Sequence, residues 1–215
     1  MKTRQTNPAG RRGLTVIELL LIVVIIVVLV GLFLPRNRIS KGPRITCMNN
    51  LHQIGLAFGD WGEDHGGKSP MLVSTNHGGT LEWVLSGDVA ANFRMLTNDF
   101  LEPKYFRCPS DKRKAANSLK ELKNQNVSYF VGVDISEAMP AMWLTGDRNL
   151  TTNKSDVRTG LITLTTNDSL GWSDKMHNQY GQVGLADGSV QQTHTVTVHS
   201  LLQQTGTNAN RLAIP

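Results

Sequence analysis

The chain has 215 residues and a formal net charge of +5. Four basic residues and no acidic ones lie within residues 1–13, namely Lys2, Arg4, Arg11 and Arg12. The remaining residues carry 18 basic and 17 acidic side chains. A domain with balanced charge lacks the basic surface that binds phosphate backbones, so we predict no nucleic-acid partner.

The first element is an apolar segment that reads LTVIELLLIVVIIVVLVGLFL, residues 14–34. Its 21 residues carry one ionisable group, Glu18. At about 1.5 Å per residue, a helix of this length matches the ~30 Å hydrocarbon core of a bilayer. We therefore predict a transmembrane helix, and the basic residues before it predict a cytoplasmic N-terminus and an exported domain.

The small residue Gly13 directly precedes the apolar segment, whereas no A-x-A cleavage pattern follows it. Cleavage at the Gly13–Leu14 bond would remove residues 1–13 as a leader and keep the helix. The new amino group of Leu14 would then lie one turn from Glu18. A charged residue inside a membrane helix indicates function and a partner, here the amino group of a neighbouring subunit. A glutamate tolerated near the membrane surface is the alternative interpretation.

The run Gly13-Leu14-Thr15-Val16-Ile17-Glu18 before a long apolar helix resembles the signal of type IV prepilins and type II secretion pseudopilins. The resemblance implies that a prepilin peptidase cuts after Gly13 and methylates Leu14, and that Glu18 aids filament assembly. It also implies that the partners are other pilin or pseudopilin subunits, an inner-membrane assembly platform and membrane lipid. The expected location is the bacterial inner membrane with a periplasmic domain, and after assembly a periplasmic or cell-surface fiber.

Residues 35–65 are predicted to continue as an amphipathic helix after interruptions at Pro35 and Gly42-Pro43. Apolar residues recur there every three or four positions, at Ile45, Met48, Leu51, Ile54, Phe58 and Trp61. This period gives one apolar face, which we expect to pack on a sheet.

Residues 66–215 are predicted to form the globular domain, with a short helix near Val89–Leu96. Strands are expected at Val127–Val133, Leu161–Thr165, Gln182–Ala186 and Val190–Val198. Asp187-Gly188 between the last two predicts a hairpin with a type I′ turn. The fold class is therefore α+β and pilin-like: a long N-terminal helix on a small, mostly antiparallel sheet.

The two cysteines, Cys47 and Cys108, allow two interpretations. They could pair in an exported domain. Burial as small apolar residues is the simpler interpretation, because no CxxC or cysteine–histidine spacing indicates a metal site. The charge run Lys112-Arg113-Lys114 predicts a solvated surface.

His177 precedes Asp187-Gly188 by nine residues, an H-x9-DG pattern. The chain thus resembles bacterial pilin-like proteins that combine a prepilin N-terminus with this C-terminal motif. Three more segments are similar to that group: residues 47–57, 106–111 and 146–149. Because nine extended residues span roughly 30 Å, we predict that His177 and Asp187 have structural roles and do not share a site.

No motif indicates a cofactor or a catalytic site, so we predict that the chain is not an enzyme. Calcium is a candidate ligand because major pseudopilins often bind it. Four carboxylates are available for it, Asp134, Glu137, Asp147 and Asp187.

The predicted function is that of a structural fiber subunit. One alternative is a membrane-anchored or minor-pilin binding module for a glycan or secreted substrate, which an exposed aromatic groove would favour. A periplasmic enzyme that uses His177 and Asp187 is the second alternative, and it requires the two side chains to be in contact.

Overall fold

The computed structural model describes residues 15–33, 42–96, 102–136 and 138–215. The chain divides into two compact units between residues 40 and 41. Gly13, Leu14 and Pro35 lie outside the described residues.

The first unit contains helix α1, Val16–Phe33. Its 18 residues correspond to about 27 Å of helix. Within the described part of the chain, no helix is both long and apolar enough to cross a membrane. The span predicted for residues 14–34 therefore stays a prediction from the sequence.

In its described residues, the second unit contains one long α-helix, α2, and four short α-helices. The bounds are α2 Gly42–Asp64, α3 Leu81–Leu85, α4 Val89–Met95, α5 Asp174–His177 and α6 Val198–Gln203. The short helix predicted near Val89–Leu96 is confirmed as α4. The amphipathic character of α2 is confirmed too, since Leu51, Ile54 and Phe58 are buried. Its first predicted core residue, Ile45, is instead exposed, and the buried face begins at Cys47.

Within the described residues, nine strands form two sheets. They are β1 Tyr129–Gly132, β2 Trp143–Asp147, β3 Leu150–Thr152, β4 Ser155–Asp156, β5 Gly160–Thr165, β6 Leu170–Trp172, β7 Tyr180–Leu185, β8 Val190–His194 and β9 Ala209–Ile214. The larger sheet has the order β5-β9-β1-β2-β7-β8 and the smaller one the order β4-β3-β6. Every strand pair that the structure describes is antiparallel. The α+β class with a mostly antiparallel sheet is thereby confirmed.

Apolar side chains pack on both faces of the larger sheet. Tyr129 and Val131 of β1 belong to the same core as the buried face of α2. Phe130, which points to the other face, packs with Trp143 and with the apolar residues of α6. Since successive side chains of a strand alternate between faces, β1 is buried along its whole length. The C-terminal end of β2, at Asp147, is also fully buried.

Candidate functional site

Glu18 is the one predicted processing or assembly residue within the described residues. It lies exposed in the first turn of α1, and its backbone N–H donates to Thr15 Oγ1 at 3.4 Å. An acidic residue there is favourable because it faces the positive end of the helix dipole. Glu18 therefore has a local role in starting the helix, besides any role between subunits.

The apolar side chains of α1 from Val16 to Val30 are exposed on every side. Each large apolar side chain from Val16 to Val30 is at least 43% exposed. A helix that is apolar all round needs an apolar environment on all sides, from lipid or from other helices.

Helix α2 is tied to the loop before β1 by a disulfide between Cys47 and Cys108, with an S–S distance of 2.01 Å. The interpretation of the cysteines as unpaired apolar residues is therefore wrong. Both cysteines are fully buried. The preference for unpaired thiols failed because 61 residues separate the cysteines along the chain, and only the packing of α2 brings them together.

His177 lies beside this disulfide at the end of α5. Its Nε2 is 3.3 Å from Cys108 Sγ and 3.5 Å from Oδ2 of Asp147, the last residue of β2. The same carboxylate oxygen accepts from the backbone N–H of Gln182 at 2.9 Å. The histidine of the H-x9-DG pattern thus lies where three other segments meet. They are the segments around residues 47, 108 and 147, which were also singled out in the sequence.

Burial determines the protonation of this pair. Desolvation raises the pKa of Asp147 to about 8, and the backbone hydrogen bond from Gln182 only partly opposes it. Desolvation and the charge of Arg44 lower the pKa of His177 to about 4. The 3.5 Å separation would also suit an ion pair, but two charges are costly to hold in a dry interior. Both groups are therefore neutral near pH 7.

Arg44 of α2 holds the histidine in place from the other side. Its guanidinium donates to the backbone oxygen of His177 at 2.9 Å and stacks over the Tyr180 ring at 4.5 Å. In return, Gln182 Nε2 donates to the backbone oxygen of Arg44 at 2.9 Å. These contacts fix the start of β7 against α2.

An ion pair joins the segment after Cys108 to the end of β2. Arg148 donates from two nitrogens to the carboxylate of Asp111, at 2.7 and 2.9 Å. Burial raises the pKa of Asp111, but the hydrogen bonds and charge of Arg148 outweigh burial and lower that pKa overall. Nearby Arg113 is half-buried and donates to the backbone oxygens of Asn124 and Pro215, at 2.7 and 2.9 Å. The prediction of a solvated surface is therefore wrong for Arg113.

The Asp187-Gly188 turn joins β7 to β8, as predicted. Its type differs from the prediction, because only Gly188 has a positive φ, 80°. The N–H of Leu185 donates to the oxygen of Ser189, which closes a three-residue loop rather than a two-residue type I′ turn. Asp187 accepts from the Ser189 N–H at 2.9 Å, and these hydrogen bonds lower the pKa of Asp187.

Helix α2 also contacts this turn. His52 Nδ1 donates to the Gly188 oxygen at 3.2 Å, and a Cβ on Gly55 would lie 3.9 Å from Gly188 Cα. The turn therefore rests on α2, while His177 lies beyond the other end of β7. Six strand residues between them correspond to roughly 20 Å. Strand β7 therefore lies between His177 and Asp187 along the sheet.

Of the calcium candidates, Glu137 lies outside the described residues. Asp134 forms an ion pair with Arg211, and Asp187 holds the turn. Among the described residues, one group of at least three potential metal ligands lies close together: Cys47, Cys108, Asp147 and His177. The calcium site stays a prediction.

Sequence reasoning missed the pairing of His177 with Asp147 and the anchoring role of Arg44. The sequence did contain one signal, the similarity of residues 146–149 to the pilin-like group. That similarity assigned no role to Asp147.

No family model, curated protein or solved structure matches this chain.

Proposed function

We propose that the chain is a membrane-anchored subunit of a type IV pilus-like or pseudopilus fiber. The observation that carries the proposal is α1. Its apolar side chains from Val16 to Val30 are exposed on every side, and its one ionisable residue is Glu18.

The energetics of α1 support this function. Burial of a Val, Leu or Ile side chain contributes about 1.5–3 kcal/mol, and 14 such residues from Val16 to Val30 are exposed. The total far exceeds the stability of an ordinary domain, so α1 requires apolar surroundings. A bilayer supplies them before assembly, and a bundle of identical helices supplies them afterwards.

The disulfide supports the export of the domain. Disulfides persist in oxidising compartments such as the bacterial periplasm. Cys47 and Cys108 are paired within the unit that follows the apolar helix, which is the side that the basic leader predicts to be exported.

Assembly proceeds in three steps. The basic residues before Gly13 keep the N-terminus in the cytoplasm while the domain crosses the membrane. A prepilin peptidase then cuts the Gly13–Leu14 bond. The carboxylate of Glu18 finally pairs with the new amino group of a neighbouring subunit inside the apolar bundle, where their attraction exceeds its value in water.

Processing is tested by mass and N-terminal sequence of the full chain from membranes of cells with an active prepilin peptidase. A chain that begins at Leu14 with one added methyl group is expected. Gly13→Ala should block cleavage, whereas Gly10→Ala, a matched change in the same leader, should not. Wild-type chain that still begins at Met1 would exclude prepilin processing.

Fiber incorporation is tested with Glu18→Ala and Glu18→Gln, compared with Glu63→Ala on the exposed side of α2. Fibers sheared from the cells should contain wild-type and Glu63→Ala chains and lack both Glu18 variants, although these variants are still cleaved. A cleaved wild-type chain that never enters fibers would favour the membrane-anchored binding module. Normal incorporation of Glu18→Ala would remove the assembly role of Glu18.

A further inference from the structure

Four ligand atoms converge in the interior between α2 and the larger sheet. They are the sulfurs of Cys47 and Cys108, a carboxylate oxygen of Asp147 and a ring nitrogen of His177, and all lie within 4.8 Å of one another. Each comes from a different part of the fold: α2, the loop after residue 106, the end of β2 and the end of α5. The arrangement therefore depends on the folded domain and is held by rigid elements.

The distances resemble those of a tetrahedral metal site. Zinc bonds of 2.0–2.3 Å give ligand–ligand separations of about 3.3–3.8 Å. His177 Nε2 is 3.3 Å from Cys108 Sγ and 3.5 Å from Asp147 Oδ2, so two of the edges already have this length. His177 turns the same nitrogen toward both neighbours, as a shared metal ion would require.

One carboxylate oxygen in the group lacks a partner. Asp147 is fully buried, and its Oδ1 accepts no hydrogen bond from the described residues. A buried polar atom without a partner is costly, and a bound cation would relieve that cost. Reduction of the disulfide would add two buried sulfur ligands beside this carboxyl group.

We propose that the reduced chain binds one thiophilic divalent cation, best matched by Zn²⁺, through Cys47, Cys108, Asp147 and His177. A dithiol supplies two electrons and two protons: it becomes a cyclic disulfide, and the Cys47–Cys108 bond becomes two thiols. Binding of the cation then releases the two thiol protons and the proton that the neutral Asp147 carboxyl carries. Two thiolates, one imidazole and one carboxylate form the tetrahedral ligand set typical of zinc.

The surroundings suit a site of this charge. Two thiolates and one carboxylate around Zn²⁺ leave one net negative charge. The Arg44 guanidinium binds the backbone of His177, and the positive charge of Arg148 acts on Asp147. Asp147 Oδ2 and the His177 backbone are already held by Gln182 and Arg44, the kind of outer contacts that orient metal ligands. The disulfide and the metal are thus alternative ways to hold α2 on the sheet.

The test uses the full chain in detergent micelles under anaerobic conditions. One sample is reduced with dithiothreitol and freed of it, one stays oxidised, and each is dialysed against Zn²⁺ alone. Elemental analysis should give one zinc per reduced chain and none per oxidised chain. Co²⁺ alone should give the visible spectrum of a tetrahedral, thiolate-ligated ion only in the reduced sample.

The ligands are tested with Asp147→Asn and His177→Gln, which nearly preserve shape. Each should weaken zinc binding by at least about tenfold, whereas the matched exposed changes Asp187→Asn and His77→Gln should leave it unchanged. Zinc should also slow alkylation of both cysteines in the reduced wild-type chain, a readout that requires no variant to fold. Equal zinc content of reduced and oxidised chains, or unchanged binding by both ligand variants, would overturn the proposal.

Discussion

Removal of the Cys47–Cys108 disulfide should strongly destabilise the second unit. The bond closes a loop with a sequence separation of 61 residues. The loop-closure relation for a ring of that size gives an entropy of about 14 cal/mol/K, which is about 4 kcal/mol at 25 °C. Many domains of this size have a free energy of unfolding of only 5–15 kcal/mol, so this one bond contributes a large share of that stability.

The measurement is urea unfolding of the full chain in detergent micelles, followed by fluorescence of the buried Trp143 and Trp172. The double variant Cys47→Ala/Cys108→Ala is compared with the oxidised wild-type chain, both with a chelator so that no metal replaces the bond. With a slope of about 2 kcal/mol/M, the midpoint should fall by about 2 M urea.

A reducing agent provides the internal control for this experiment. It should lower the midpoint of the wild-type chain and leave that of the double alanine variant unchanged. A shift below about 0.5 M between oxidised wild type and variant would refute the reasoning. The loop would then be held closed by packing alone, for example by the contacts of α2 with the sheet, and the bond would add little.

Three further predictions concern the second unit and use the same unfolding assay. Asp111→Asn should cost about 2 kcal/mol near pH 7 through the loss of charged hydrogen bonds to Arg148. The folded pKa of Asp111 lies below the ordinary pKa of an aspartate, so its contribution is present above that ordinary pKa and is lost as the pH falls through the folded pKa. A wild-type chain whose stability falls no more steeply in acid than that of the variant would contradict this. Gly146→Ala should lower the free energy of unfolding by at least about 2 kcal/mol, because a Cβ there would lie 2.6 Å from an aromatic ring and 2.7 Å from a backbone oxygen. The control Gly59→Ala lies in open space within α2 and should be neutral or stabilising. Gly188→Ala should cost about 1 kcal/mol because its φ is 80°, and no measurable loss would mean that the turn adopts another conformation.

Local patterns predicted the elements that neighbouring residues specify. The apolar period of α2 and the alternation around Asp187-Gly188 gave one helix and one hairpin correctly, since both depend on residues three to ten positions apart. The hairpin type was missed because loop length, not the Asp-Gly pair alone, decides how the two strands close. Strands β2, β3, β4, β6 and β9 were missed because their short runs have no apolar period that distinguishes a strand from a loop.

The sequence by itself determined the apolar character of residues 14–34, the single acidic residue within them and the amphipathic helix that follows. These features follow from composition and spacing along the chain. Only the tertiary structure decided that Cys47 bonds Cys108, that His177 lies against Asp147 rather than near Asp187, and that Arg113 leaves solvent to bind backbone oxygens. Such contacts join residues tens of positions apart, and the packing of α2 on the sheet, not any local preference, sets the distances between them.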